Sequence, residues 1–170
     1  VVVLGLSDLA EEARLVTPWL NPQYLFAAGD RIGVVCSGTV EAGDDGVMQP
    51  AEDGGLLLLN RETLAVEGEL AVPGGIPGPL AGFPGAPAAD PEGETVFLGS
   101  GTGPYVYRIA TETGAVEAFQ IHEDLSGNDL TVPLFLDGVL YVTSFNTGYL
   151  YALDPDSGAQ SGAPIDVTAT

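Results

Sequence analysis

One phrase of this chain is written twice. Tyr141-Val-Thr-Ser-Phe-Asn-Thr-Gly-Tyr-Leu-Tyr-Ala-Leu-Asp-Pro-Asp-Ser-Gly158 has an earlier counterpart in Val96-Phe-Leu-Gly-Ser-Gly-Thr-Gly-Pro-Tyr-Val-Tyr-Arg-Ile-Ala-Thr-Glu-Thr-Gly114. Each reads as an apolar strand, a turn of small residues, a second apolar strand and a tight turn closing on Ser/Thr-Gly. A looser copy joins Ile32-Gly-Val-Val-Cys-Ser-Gly38 to Gly55-Leu-Leu-Leu-Leu-Asn-Arg-Glu-Thr-Leu64 across an insertion. Aligned on the closing turn, Asn60, Ala110 and Asp154 are equivalent, at intervals of 50 (60 to 110) and 44 (110 to 154) residues. The opening stretch 1–9 fits as an earlier outer hairpin, with Gly5 at the position of Asn60. Short strands repeated every 40–50 or so residues match four strands per unit, the pattern of propeller blades. Leucine-rich repeats are shorter, and helical repeats lack this strand chemistry.

The strands within a unit follow from local chemistry. Val132-Pro-Leu-Phe-Leu136 and Val139-Leu-Tyr-Val-Thr143 flank Asp137-Gly138, a dipeptide that accepts the positive φ of a two-residue hairpin. Tyr149-Leu-Tyr-Ala-Leu153 follows, then Asp154-Pro-Asp-Ser-Gly158, in which Asp154 bonds back to the backbone and Gly158 takes a left-handed conformation. Continuous short apolar runs suit strands buried on both faces between neighbouring blades. Ala10-Glu-Glu-Ala-Arg14 has weak helical character, but the repeat places it in a hairpin turning at Ser7-Asp8-Leu9. The expected division is an outer hairpin over 1–20, a blade over 21–75, a blade over 76–121 and a blade over 122–170. An acidic insertion over 41–53 and a Gly/Pro-rich connection over 73–87 read as surface loops. The fold expected is all-β: four-stranded antiparallel propeller-type blades, part of a larger ring of about seven.

Composition limits the functional classes. Twenty-four acidic residues face four basic ones (Arg14, Arg31, Arg61 and Arg108), for a net charge of −20 with no lysine. A field of that sign repels nucleic acid and anionic membranes, so neither is expected as a partner. No apolar run approaches the roughly 18 residues of a spanning helix. The acidity fits three settings: a secreted protein in which Arg replaces Lys, a surface adapted to high salt, and a surface that gathers cations such as Ca²⁺. The location expected is extracellular, periplasmic or at the cell surface. Cys36, the single cysteine, follows Val34-Val35 and reads as a buried, inert thiol. Because the chain opens on Val1-Val2-Val3-Leu4 as if in mid-strand, these residues are expected to be a few blades of something longer, or blades that close across an oligomer.

The repeat V-[YF]-[VL]-x-[ST]-x-x-x-G-x-[VL]-Y-x-[LI]-x-x-x-[ST]-G resembles that of the bacterial propellers related to pyrroloquinoline-quinone dehydrogenases, and of their surface-layer-type and lactonase-like seven-bladed relatives. The resemblance covers nearly the whole chain. The quinoprotein enzymes imply a cofactor in a central channel, stacked on a Trp, with Ca²⁺ ligands and a catalytic Asp nearby. Here the only Trp is Trp19, between blades, and the single cysteine precludes the vicinal disulfide many of those enzymes carry. Ala152-Leu-Asp-Pro-Asp-Ser-Gly158 matches the start of their A-x-D-x-x-T-G-x-x-x-W motif, but no Trp follows. What the resemblance then implies is a non-catalytic secreted or cell-envelope scaffold for a protein or carbohydrate ligand, with no catalytic residues and no cofactor. The alternative is a segment of a quinoprotein-type dehydrogenase or lactonase-like hydrolase whose active-site residues lie in other blades.

Other motifs carry less. Gly99-Ser-Gly-Thr-Gly103 follows a strand, but neither a helix N-terminus nor a Lys accompanies it, so it reads as a hairpin turn rather than a phosphate loop. Asp154 and Asp156 lack the further oxygens of a calcium loop. Asp44, Asp45, Glu52 and Asp53 are the better Ca²⁺ candidate, because four carboxylates share one insertion; a solvated charge run remains the simpler reading of them. His122, the only histidine, reads as exposed among acids, with no Ser or Cys partner of evident spacing. Tyr105, Tyr107, Phe119, Phe135, Tyr141, Phe145, Tyr149 and Tyr151 follow the period of strands and read as packing between blades, with Phe145 and Tyr149 available to line a binding face.

Overall fold

The computed structural model describes residues 1–4, 7–8, 10–44, 48–52, 54–72, 84–101, 103–123 and 129–168. Among them the regular structure is all β. Three four-stranded antiparallel meanders follow one another along the chain. The first is β3 (Pro22–Ala28), β4 (Arg31–Cys36), β7 (Gly54–Asn60) and β8 (Val66–Val72). The second is β9 (Pro84–Ala89), β10 (Thr95–Ser100), β11 (Tyr105–Ala110) and β12 (Val116–Gln120). The third is β13 (Thr131–Leu136), β14 (Val139–Ser144), β15 (Tyr149–Leu153) and β16 (Ile165–Asp166). A hairpin of β1 (Val2–Leu4) and β2 (Glu11–Arg14) precedes them, so Glu11-Glu-Ala-Arg14 is strand, as the repeat requires. Propeller-type blades of four antiparallel strands are therefore the architecture of this chain.

The register is the same in each sheet. Arg31 pairs with Asn60, Thr95 with Ala110, and Leu140 with Leu153, one step in from Asp154. The closing turns match in detail. The N–H groups of Leu64, Gly114 and Gly158 bond the carbonyls of Asn60, Ala110 and Asp154 at 2.9, 2.8 and 2.8 Å. All three donors have positive φ, at 58°, 70° and 68°. Asn60 Oδ1 accepts from the N–H groups of Glu62 and Thr63, and Asp154 Oδ1 from those of Asp156 and Ser157 and from the Ser157 hydroxyl. Ala110 has no side chain to do so. At Asp137-Gly138 both residues take positive φ, as the hairpin demands.

The core lies between the sheets, because alternate residues of each middle strand face opposite neighbours. Val35, Leu56 and Leu58 of the first sheet meet Val96, Leu98, Tyr107 and Ile109 of the second. On the other face of the second sheet, Phe97, Val106 and Phe119 meet Leu140, Val142, Tyr151 and Leu153. Val34, Cys36, Leu57 and Leu59 meet Val1, Leu15 and Trp19 from the opening segment. Trp19 lies flat over Gly55, where any Cβ would come within 2.4 Å of the indole. The far face of the third sheet carries Val132, Leu134, Leu136 and Ile165 in the open. Strands β3, β9 and β13 are sheet edges and neighbours of one another. Edge position is what allows them Pro22, Pro84, Pro87 and Pro133, which have no N–H for a ladder. Polar ties also cross between sheets: Thr131 Oγ1 accepts from the Ser100 N–H at 2.7 Å and donates to the Tyr105 carbonyl at 2.6 Å. Arg31 reaches the Gly93 carbonyl and Thr111 Oγ1.

Two expectations about loops are corrected. The acidic insertion is not an irregular loop: β5 (Thr39–Ala42) and β6 (Met48–Glu52) form a hairpin of their own, pairing Val40 with Pro50 and Glu41 with Gln49. Backbone pairing outweighs the weak strand propensity of these residues. In the Gly/Pro-rich connection, 73–83 lie outside the described residues, whereas 84–87, also read as loop, belong to β9.

The closing turns yield two predictions. Ala110→Asn supplies the acceptor present at Asn60 and is expected to raise unfolding free energy by about 0.5–1 kcal/mol in urea titration. Gly158→Ala forces a side chain into positive φ against Phe119 and should cost about 1–3 kcal/mol. The Asp154 carboxylate is held below its usual range by the Ser157 hydroxyl and then by backbone N–H bonds. Its contribution is thus present above the unfolded-state pKa and lost as pH falls through the lower folded value. Removing it with Asp154→Ala should lower the melting temperature near neutrality and leave it little changed in strong acid, so that the decline with falling pH becomes shallower.

Candidate functional site

Each second strand ends on a small polar side chain buried beneath the chain that enters or leaves the sheet. These equivalent residues are Cys36, Ser100 and Ser144. In the third sheet that position becomes a cluster. The segment leaving β12 brings in His122, and the segment entering β13 brings in Asp129. His122 Nε2 lies 2.8 Å from Asp129 Oδ2, the Ser144 hydroxyl donates to the same oxygen at 2.7 Å, and Ser144 Oγ lies 3.2 Å from Nε2. Asp129 Oδ1 accepts the Asn146 N–H at 2.9 Å, and Ser144 Oγ accepts the Thr147 N–H at 3.2 Å. The His122 ring stacks near Tyr151 at 6.0 Å.

His122 is therefore not the exposed residue the sequence suggests: its side chain is 9% exposed and that of Asp129 1%. Its acidic sequence neighbours gave the wrong impression, because the partner that buries it is seven residues away. The sequence reading missed Asp129 and Ser144 as its companions. The signal available for Ser144 was its equivalence to Ser100 and Cys36 in the repeat.

Ser, His and Asp in contact invite comparison with a nucleophilic triad, and the wiring differs. A triad needs the carboxylate on one ring nitrogen and the hydroxyl on the other, so that the imidazole takes the hydroxyl proton while the carboxylate orients it and stabilises its positive charge. Here both partners meet Nε2, and the serine proton points to Asp129 rather than to the histidine. Nδ1 is buried and has no partner among the described residues. This arrangement orients the β14–β15 turn and ties the exit of the second sheet to the third.

The first sheet does the same with other atoms. The Ser37 N–H bonds the Asn21 carbonyl at 3.0 Å, as the Phe145 N–H bonds that of Leu130 at 3.1 Å, and Asn21 Nδ2 donates to Ser37 Oγ. Cys36 is fully buried, as expected; burial pushes its thiol pKa up, against a hydrogen bond with Thr17. The thiol is accordingly protonated and shielded.

The remaining candidates are spread apart. Asp44 and Glu52 are exposed on the acidic hairpin, and Glu52 Oε2 accepts from Thr39 Oγ1 at 3.3 Å. Asp45 and Asp53 lie outside the described residues. Among the described residues no three or more His, Cys, Asp or Glu groups converge as metal ligands. Of the aromatic set, Tyr107, Phe119 and Tyr151 are buried between sheets, whereas Phe145 is 79% and Tyr149 37% exposed at the β14–β15 turn. A cleft of about 700 Å³ opens between β8 of the first sheet and β11 with its closing turn in the second, lined by Arg31 and Arg108 together with Glu67, Glu69, Glu94 and Glu112. No protein-family model matches the chain, and no curated protein matches it in sequence.

The cluster predicts its own energetics. Asp129→Ala strands three donors in a buried site and should cost about 3–5 kcal/mol. Ser144→Ala removes one of them and should cost about 1 kcal/mol. Chemical denaturation of both variants checks this ordering.

Proposed function

We propose that this chain is a stretch of a non-catalytic propeller scaffold, of the kind related to quinoprotein and surface-layer-type propellers, that binds a protein or carbohydrate outside the cell or at its envelope. The observation that carries this reading is the wiring of His122, Asp129 and Ser144. Among the described residues, the place where a hydroxyl, an imidazole and a carboxylate meet is closed, and its protons are committed to structural bonds. What remains available for recognition is the rim of turns beside it. There Phe145 presents an open aromatic face next to Tyr149, suited to stack on a sugar ring or an apolar side chain.

The test has two arms. The protein is incubated with pyrroloquinoline quinone and Ca²⁺, with alcohols and with sugar lactones; neither cofactor binding nor turnover is expected. Turnover that survives repurification and disappears on substitution of Ser144 or His122 would refute the scaffold reading. In the second arm, binding to an oligosaccharide panel and to envelope protein extracts is compared with that of Phe145→Ala, which is expected to lose at least tenfold in affinity.

A further inference from the structure

We infer that the cleft between β8 and β11 is a receptor for an arginine side chain of a partner polypeptide, whose guanidinium bridges Glu112 on one sheet and Glu67 or Glu69 on the other. The inference goes beyond the proposed function and uses only the stacking of the first two sheets. The repeat itself shows what such a place holds when it is filled. Between the second and third sheets, Arg108 of β11 lies 3.4 Å from Glu117 of β12 and 3.7 Å from Asp156 in the closing turn of the third sheet. One guanidinium thus joins a carboxylate of its own sheet to a carboxylate of the next.

Between the first and second sheets the same positions are occupied differently. Counted from the closing turns, Leu58 stands at the position of Arg108, and Glu112 at that of Asp156. Leu58 pairs with Gly68 as Arg108 pairs with Glu117, so the ion pair of the second sheet becomes a leucine and a glycine in the first. By the same register Leu70 stands where the second sheet has Phe119. A Cβ added at Gly158 would come within 2.5 Å of Phe119, whereas one added at Gly114 would lie 3.6 Å from Leu70. Three smaller side chains on the first sheet therefore open the cleft of about 700 Å³. The acid of the facing turn is kept there, and the cation is not.

The charges around the cleft are free to take one up. Glu67, Glu69, Glu94 and Glu112 line it, and none has an ion-pair partner among the described residues. The two arginines on its wall are committed elsewhere: Arg31 to the Gly93 carbonyl and Thr111 Oγ1, and Arg108 to Glu117 and Asp156. A planar guanidinium with its fork of donors suits two carboxylates on facing walls better than an ammonium does. The backbone beside the cleft points to a polypeptide as carrier. Glu67, Gly68, Glu69 and Leu70 belong to β8, an outer edge strand whose open N–H and C=O groups can bond a main chain. A net charge of −20 steers a basic partner toward the chain.

The experiment titrates isotopically labelled protein with a blocked Gly-Arg-Gly peptide and with the same peptide carrying citrulline, which keeps the shape of arginine and lacks its charge. The expected result is saturable binding of the arginine peptide only, with amide shifts on Gly68, Glu69, Glu112 and Thr113. Glu112→Gln, a change on an exposed turn, should weaken binding about fivefold. Gly68→Gln, which fills the floor of the cleft beside Leu58, should weaken it at least as much. Asp156→Asn, the matching change at the filled interface, should leave it unaltered. Absence of saturable shifts, shifts spread over the whole acidic surface, equal binding of the citrulline peptide or binding indifferent to Glu112→Gln would each overturn the inference. Agmatine, a guanidinium on a stem without a peptide, should bind more weakly; binding as tight as that of the peptide would overturn the assignment to a polypeptide. The readout involves neither turnover nor Phe145, so failure here leaves the scaffold reading standing.

Discussion

The second and third strands of the first two sheets are apolar on both faces, and the rest of the structure depends on that. A sheet of this kind cannot present one side to water; it needs a layer on each side. Leu56 and Leu58 point one way and Leu57 and Leu59 the other, so one run of four leucines serves two cores. Burying such side chains contributes about 1.5–3 kcal/mol each, while the hydrogen-bonded ladders mainly avoid unsatisfied groups. Stacking in chain order follows, because successive sheets are the nearest available covers.

Edges and ends set the second level of organisation. The prolines gather on β3, β9 and β13, where the missing N–H costs no ladder bond. Polar side chains gather where strands end: Thr131 joins the Ser100 N–H to the Tyr105 carbonyl, and Asp129 joins His122, Ser144 and Asn146. These are the places at which one layer is held in register with the next. Apolar packing alone, being non-directional, would permit the layers to slide.

What could be read from the sequence and what could not divide along sequence distance. The closing turns were legible because Asn60, Asp154, Gly114 and Gly158 act within four residues of themselves. The strands were legible because alternation and apolar runs are local, and the repeat supplied their order. The His122 cluster was not, since its three members come from separate segments and only folding brings them together. The hairpin over the acidic insertion was missed because Glu41, Gln49 and Pro50 have poor strand propensity; pairing partners, not composition, make them strand.

The acidic hairpin has one more consequence. It leaves the first sheet between β4 and β7, yet those strands pair over Arg31 to Cys36 without interruption. In the second and third sheets only four residues, 101–104 and 145–148, separate the same two strands. Widening a junction from a few residues to a hairpin costs little, because closure entropy grows only with the logarithm of length, about 0.6 kcal/mol per doubling. The junction behaves as a socket. Modules of different size and charge can be plugged into one rim of the array while the sheets beneath remain the same, so lineages or engineers could exchange what the rim displays without redesigning what supports it.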